Sequence, residues 1–372
     1  MRRFLGWAAI SLFVCAQAMG GVLSSSLPRA GENEGLSFAG VPDLQNYCSA
    51  WDPTADVQPP GVPLFNRAEG IRQLRALAND IVAERPEFVI QVGDWTDTTG
   101  GADQGNGTWG QTDDPDTFTT RRDRYVGEWQ CVLDNFVRII EAAGIPMLGV
   151  LGNHDSCVDH ERAFPVAAFR LASYYFSDSS RASRCGGSFT DTVQRAALFS
   201  TSIGNICAVA IRSAEDDDDA TDIAYVNGAV GCGGSWPTID VRHASESSAD
   251  YQGVANSENF LTMGGHIVPL GLQTSIFVTA GGHEVADVVQ DWQEQSLNCQ
   301  QPVAGGSGMH TGVGWWVKYR LVPRTSQLYV QARSPLFGGD AANPCSYPGT
   351  QANAVLTYSP TLCSRFPTLK GC

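Results

Sequence analysis

The first half of the chain alternates apolar runs of strand length with stretches of helical periodicity. Residues 36–41 and 88–92 are short apolar runs, and apolar residues recur at helical spacing over 71–83 between them. A second helical pattern over 125–143 precedes a third apolar run at 145–151. Strands that alternate with helices are typical of an open α/β sheet, in which polar side chains gather at the carboxyl ends of the strands.

The second half of the chain is dominated by strand patterns. We predict two strands around a Gly-Asn pair within 196–212, then strands over 237–241, 260–263, 275–280, 315–321 and 327–333. The last two alternate in the manner of a hairpin. Residues from Ser334 onward are rich in Pro, Gly and Cys, which predicts a disulfide-held tail. No linker separates the two halves, so we expect one continuous domain.

The N-terminal segment has the composition of a secretory signal peptide. Arg2 and Arg3 precede an apolar run over 4–15, and small residues then offer a cleavage site. The run is too short to span a membrane. We therefore expect a signal peptide over 1–18, no transmembrane anchor, and a secreted protein in an extracellular or periplasmic space.

Composition narrows the classes of partner. The chain carries 24 Lys+Arg against 39 Asp+Glu, a formal net charge of −15, and an acidic surface repels polyanions. We therefore expect no nucleic-acid-binding patch. Of the 11 cysteines, Cys15 falls in the predicted signal peptide, and the even number that remains favours disulfide bonds over buried free thiols in an exported chain.

Residue types that bind metals stand where the predicted strands stop. A Gly-Asp pair follows the second strand, a Gly-Asn-His sequence follows the third, and single histidines follow two later strands. Because the carboxyl ends of parallel strands meet at one edge of a sheet, these side chains can converge. The candidates, in chain order, are Asp43, Gln45, Asp94, Asp97, Asn153, His154, His243 and His266.

In order and in sequence, these motifs resemble those of the calcineurin-like metallophosphoesterases. The family's motifs are D-x-H, G-D-x-x-D, G-N-H-D/E, a lone His and G-H-x-H. Their counterparts here are Asp43-Leu44-Gln45, Gly93-Asp94-Trp95-Thr96-Asp97, Gly152-Asn153-His154-Asp155, His243 and Gly265-His266-Ile267-Val268. The first motif resembles that of an exported branch in which it reads D-x-Q.

The resemblance implies a fold and a domain layout. The fold would be of the α/β class, a four-layer α/β/β/α sandwich of two mixed sheets, like that of the metallo-dependent phosphatases. The phosphoesterase domain would occupy 36–335, between the signal peptide at 1–18 and a Cys/Pro/Gly-rich C-terminal tail at 336–372.

The resemblance also implies two divalent metal ions and the residues that hold them. One ion would be bound by Asp94, Asn153, His243 and His266, a mixed nitrogen and oxygen set that suits Zn, Fe or Mn. The other would be bound by Asp43, Gln45 and Asp94, so that Asp94 bridges the pair. His154 would face the phosphate or the leaving oxygen as an acid or electrostatic stabiliser, and Asp97 would orient its imidazole.

Two positions depart from the family pattern. Gln45 and Val268 each stand where the family has a histidine, and both missing histidines belong to the second metal site. That site keeps only oxygen donors, so we expect it to be weaker and to prefer Mg, Mn or Ca. Gly282-His283-Glu284 offers a second match to the last motif, with His283 in place of His266.

The functional hypothesis is an exported metal-dependent phosphoesterase. It would hydrolyse a phosphomonoester or a phosphodiester by metal-activated water, with a phosphorylated small molecule or ester as substrate. The alternative is a catalytically impaired binding protein on the same fold, with a degraded second metal site, as Gln45 and Val268 suggest. A purely structural exported protein is a third hypothesis, and little in the sequence favours it.

Overall fold

A computed structural model of the chain describes residues 35–44, 47–48, 67–95, 130–150, 172–174, 196–210, 232, 235–244, 257–265, 271–292, 314–335 and 353–372. The chain divides into Met1–Glu32 and Asn33–Cys372, and all of the described residues belong to the second unit. The predicted signal peptide lies outside the described residues.

Most of the strands coincide with predicted ones, whereas those at 172–174, 284–291 and 353–357 have no predicted counterpart. In chain order the strands are β1 (Leu36–Val41), β2 (Val89–Gln91), β3 (Met147–Gly149), β4 (Ala172–Tyr174), β5 (Ala196–Thr201), β6 (Gly204–Ala210), β7 (Thr238–Ala244), β8 (Asn259–Gly265), β9 (Gly271–Val278), β10 (Glu284–Asp291), β11 (Trp316–Val322), β12 (Gln327–Arg333) and β13 (Asn353–Thr357).

These strands form two mixed sheets. The first has the order β13-β12-β11-β1-β2-β3-β4, and the second has the order β5-β6-β7-β8-β10-β9. In the first sheet β1 to β4 are mutually parallel, and in the second β6, β7, β8 and β10 are mutually parallel. The remaining strands add antiparallel edges to each sheet. This arrangement confirms the predicted pair of mixed sheets.

Helices cover the outer face of the first sheet. They are α1 (Arg67–Glu84) and α2 (Arg138–Ala142), the latter preceded by a π-helical turn at Leu133–Val137. The helix α1 forms because its apolar residues recur every three or four positions, which puts Leu74, Leu77 and Ile81 on one buried face. Among the described residues, no helix has both the length and the apolar character that a membrane span requires.

The alternation of side chains along β1, β2 and β3 separates two cores. In β1, Leu36 and Phe38 point into the core between the sheets, whereas Ala39 and Val41 point toward the helices. Phe38 stacks on Phe88, with 4.9 Å between ring centroids. This alternation fixes the register of the strands, so the residues that follow each strand emerge at a defined edge.

The C-terminal segment is more closely joined to the domain than a tail would be. Strand β13 pairs with β12, and the short helix α3 (Leu362–Arg365) follows it. Leu362, Phe366 and Leu369 are buried in the core between the sheets. Sequence reasoning missed this packing because the apolar residues are spread among Pro, Gly and Cys.

Three disulfide bonds fall within the described residues. They join Cys48 to Cys131, Cys207 to Cys232, and Cys363 to Cys372. The prediction that the cysteines form disulfides is confirmed in part. The other predicted participants, Cys157, Cys185, Cys299 and Cys345, lie outside the described residues.

Candidate metal centre

Two carboxylates and an imidazole converge at the edge of the sandwich where the parallel strands end. Asp43 follows β1 and Asp94 follows β2, which are neighbouring parallel strands of the first sheet. His243 comes from β7 of the second sheet. The ligand atoms of the three residues lie within 4.8 Å of one another, and all three side chains are buried.

The imidazole of His243 lies between the two carboxylates. Its Nε2 atom is 3.2 Å from Oδ2 of Asp94, and its Nδ1 atom is 3.5 Å from Oδ1 of Asp43. The Nδ1 atom also lies 3.0 Å from the backbone carbonyl oxygen of Val92. With its proton on Nδ1, the ring donates to that carbonyl and directs the lone pair of Nε2 toward the Asp94 carboxylate.

This donor set fits a divalent cation. The imidazole nitrogen and the carboxylate oxygens are donor atoms of the kinds that bind divalent cations in proteins. Two buried carboxylates add negative charge that a divalent cation would balance. Mixed nitrogen and oxygen ligands suit Zn, Mn or Fe, so Asp43, Asp94 and His243 are suitable as ligands.

A tight turn directs Asp94 toward the centre. Gly93 has φ +115° and Asp94 has φ +51°, both in the region that L-residues rarely adopt. A Cβ atom on Gly93 would overlap the His243 ring, so only glycine allows the strand end to approach the imidazole. The backbone N–H of Leu44 donates to the carbonyl of Asp94 at 2.7 Å, which ties the two aspartate-bearing segments together.

A bulge in the second sheet places His243. Val241 pairs with Met263 and Ala244 pairs with Gly265, so β7 has one extra residue over this stretch, at Arg242 and His243. Bulges re-aim side chains and occur beside functional sites. Sequence reasoning ended this strand at Val241, before His243. The structure corrects that boundary, since β7 continues through His243 to Ala244.

The end of β8 also reaches the centre. A Cβ atom on Gly265, the last residue of β8, would lie 2.9 Å from Oδ1 of Asp43. The backbone of Gly265, the residue before His266, therefore lies next to Asp43. His266 itself lies outside the described residues, as do Gln45, Asp97, Asn153 and His154. Their predicted roles stay predictions.

Trp95 anchors the segment that leads toward Asp97. Its indole N–H donates to the carbonyl of Val150 at 2.7 Å, and a Cβ atom on Gly149 would overlap the indole ring. The side chain therefore holds the chain that follows β2 against the end of β3. Sequence reasoning assigned Trp95 no role, although its place inside the Gly-Asp-Trp-Thr-Asp motif was a signal.

His283 lies far from this centre. Strand β10 runs parallel to β8, with Val289 paired to Gly264, so His283 precedes the opposite end of β10. In this register Gln290 lies beside Gly265, and His283 comes seven residues before Gln290, which corresponds to about 20 Å along the strand. The ring of His283 instead contacts Oγ1 of Thr279 at 3.2 Å, within the turn between β9 and β10. The alternative ligand His283 is thereby excluded from this centre.

A further buried acid on β7 lies outside the centre. Ile239 and Val241 point into the core between the sheets, so Asp240 points to the other face. Burial raises the pKa of Asp240 to about 7, and the positive charge of Arg242 and a hydrogen bond from Asn259 act in the opposite direction. Asp240 is therefore a structural acid rather than a candidate ligand.

Comparison with known proteins finds one matching family model and several similar solved structures. Residues 38–221 match the model of the family described as calcineurin-like phosphoesterase. A dimetal phosphatase from zebrafish (Danio rerio) is similar in structure, with 10% identity, a TM-score of 0.45, and coverage of 88% of this chain and 100% of that chain. A second solved structure has 11% identity, a TM-score of 0.43, and coverage of 81% and 99%. No curated protein sequence matches the chain.

Proposed function

We propose that this chain is an exported, metal-dependent hydrolase of phosphate esters, and the match of residues 38–221 to the calcineurin-like phosphoesterase family supports this. The observation that supports the proposal most is the buried cluster of Asp43, Asp94 and His243. These are three of the six metal ligands that the sequence motifs predict, and they come from three separate strands.

The metal centre would supply the electrostatic part of the reaction. Two divalent ions, when bound, clamp a phosphoryl group and make a water molecule nucleophilic at neutral pH. In the proposed assignment Zn, Fe or Mn occupies the site that contains His243, and Mg, Mn or Ca occupies the weaker site with oxygen ligands. By the family resemblance Asp94 would be the carboxylate shared by both ions, and its place beside both Asp43 and His243 supports this.

The remaining residues complete the proposal from the sequence motifs. Asn153 and His266 join His243 around one ion, and Gln45 joins Asp43 around the other. His154 acts on the phosphate or the leaving oxygen, and Asp97 orients its imidazole. The position of Gly265 beside Asp43 supports the role of His266, and the anchoring of Trp95 supports that of Asp97.

Export is part of the proposal. The predicted signal peptide at 1–18 and the three disulfide bonds favour an oxidising compartment outside the cytoplasm. A substrate outside the cell or in the periplasm would be a phosphorylated small molecule or ester. Both phosphomonoesters and phosphodiesters fit the proposed chemistry.

The test is hydrolysis of chromogenic phosphate monoesters and diesters by the secreted form. The protein is stripped with a chelator and then supplied with Mn²⁺, Zn²⁺, Mg²⁺ or Ca²⁺, with a His154→Ala variant alongside. We expect turnover that metal restores and that the variant loses, and the better substrate identifies the class of ester. A folded protein that binds metal and hydrolyses neither ester with any ion would favour the alternative, a binding protein on the same fold.

A further inference from the structure

A buried glutamine holds the turn that carries Asp94. The side-chain amide of Gln91 accepts a hydrogen bond from the backbone N–H of Gly93 at 2.9 Å. The same amide donates to the backbone carbonyl of Gly93. Gln91 has no exposed surface, so both of its polar groups are satisfied by the one residue that precedes Asp94.

The turn has a conformation that needs such support. Gly93 and Asp94 both have positive φ, and for a residue other than glycine this conformation costs about 1 kcal/mol. The N–H and C=O groups of Gly93 point the same way, toward the amide of Gln91. A side chain that binds both groups selects this conformation over others that glycine adopts readily.

Packing alone does not account for a glutamine at this position. Gln91 lies on the helix-facing side of β2, two residues after Val89, and it pairs with Val41 of β1; both valines belong to the apolar cluster under the helices. A methionine or leucine would fill the same volume without burying an amide. An amide in such surroundings is stabilising only if its partners are present, and here both partners belong to Gly93.

We propose that Gln91 is a positioning residue for the metal centre. Its amide fixes the Gly93 turn, and the turn aims the Asp94 carboxylate toward His243 and Asp43. This inference rests on the proposed metal site, and it concerns the affinity of that site rather than the identity of the substrate. Residues that orient metal ligands in this way typically contribute 10–100-fold to metal affinity.

The experiment compares Mn²⁺ binding to metal-stripped protein by calorimetry and by the electron paramagnetic resonance signal of bound Mn²⁺. Gln91→Met keeps the volume and removes both hydrogen bonds, and Gln91→Asn keeps the amide but shortens its reach. We expect each variant to bind Mn²⁺ about 10–100-fold more weakly, with an altered Mn²⁺ signal. If Gln91→Met does not fold, Gln91→Asn carries the test.

The matched control is Ser326→Ala. The hydroxyl of Ser326, between β11 and β12, is buried and accepts a hydrogen bond from the backbone N–H of Leu362 at 2.9 Å, so its loss removes a buried hydrogen bond at the end of the sheet opposite Asp94. Urea unfolding of each protein shows the loss of stability. We expect Ser326→Ala to be destabilised and yet to bind Mn²⁺ within twofold of the wild type.

The outcomes separate this inference from the proposed function. Unchanged Mn²⁺ affinity in the Gln91 variants, or an equal loss of affinity in Ser326→Ala, would overturn the positioning role. Wild-type protein that binds no Mn²⁺ would overturn the metal centre and the positioning role together. Wild-type protein that binds Mn²⁺ but hydrolyses no phosphate ester would overturn the proposed function alone.

Discussion

The two ends of the sandwich differ in what they bury. At the end where the parallel strands stop, Asp43, Asp94 and His243 bring ionisable groups together out of solvent. At the end where those strands begin, the C-terminal segment buries Leu362, Phe366 and other apolar side chains in the core between the sheets. We refer to these as the site end and the closed end.

The closed end is held by hydrogen bonds from the C-terminal segment. The guanidinium of Arg365 donates to the backbone carbonyls of Glu284 at 2.6 Å and Ser257 at 3.0 Å, and also to Asn259. Thr361 caps the helix α3 by accepting from the N–H of Ser364. The strands β8 and β10 begin here, so the C-terminal segment ties the first sheet to the start of the second.

The comparison indicates that one end of the sandwich provides the binding site and the other end provides stability. Buried charges and positive φ angles cost stability, and they persist only where the rest of the fold compensates. The apolar core and the closed end supply that compensation. Replacing the charged groups of the site end should therefore reduce function without loss of stability, and truncating apolar side chains at the closed end should do the reverse.

The largest expected effect comes from Asp94→Asn. Asparagine tolerates the positive φ of this position, so the turn should survive, while the bridging charge is lost. Metal catalysis is worth several kcal/mol, so we expect phosphoesterase activity to fall about a thousandfold. Unfolding in urea should show equal or greater stability. The control is Asp134→Asn, an exposed acid paired with Arg138, which should leave activity unchanged.

A large effect of the opposite kind is expected from Phe366→Ala. Phe366 packs edge-on against Phe260, with 6.3 Å between ring centroids, and is buried. Its truncation should reduce the free energy of unfolding by about 3–5 kcal/mol. Mn²⁺ affinity of the folded protein should stay within twofold of the wild type. A tenfold loss of affinity would show that the two ends are coupled.

Each end of the sandwich contains a disulfide bond, so the same change can be made at both ends. Cys48 follows Asp43 closely and is joined to Cys131, with a sequence separation of 83, whereas Cys363 and Cys372 are separated by 9. Replacing Cys48 and Cys131 by serine should cost about 2–4 kcal/mol and also weaken Mn²⁺ binding, because the segment carrying Asp43 is released. Replacing Cys363 and Cys372 should cost less stability and leave Mn²⁺ affinity unchanged.

The smallest effect is expected from Asp240→Asn and depends on pH. The pKa of Asp240 is raised to about 7 in the folded protein, so the folded state holds a proton that the unfolded state releases near pH 4. This contribution to stability is present below pH 4 and is lost as the pH rises toward 7. The free energy of unfolding of the variant, taken relative to that of the wild type, should therefore rise by about 1–3 kcal/mol between pH 4 and pH 8. Urea unfolding of both proteins at pH 4 and pH 8 measures the difference in their free energies of unfolding. The same difference at both pH values would contradict the raised pKa.

Much of the site end could be predicted from the sequence, because it is encoded locally. Leu36–Val41 is a mostly apolar run of strand length, and β1 matches its prediction. The Gly-Asp pair after β2 placed Asp94 at the strand end, where it contacts the other ligands. A turn residue that follows a buried strand is a local signal, and it does not depend on which strands become neighbours.

Features that depend on strand direction or pairing could not be predicted. The run that forms β9 has the same pattern as a parallel strand, so His283 resembled a ligand at its end, although β9 is antiparallel to β10. The bulge that places His243 arises from the pairing of β7 with β8. Gln91 is a single polar residue in an apolar strand, and only the fold shows that its partner is Gly93.

The measurement that tests the central claim most directly is anomalous diffraction from crystals soaked in Zn²⁺. We predict an anomalous peak about 2.0–2.2 Å from a carboxylate oxygen of Asp94 and a ring nitrogen of His243. A structure in which Zn²⁺ binds only elsewhere, with Asp94 and His243 contacting each other and no metal, would contradict the account.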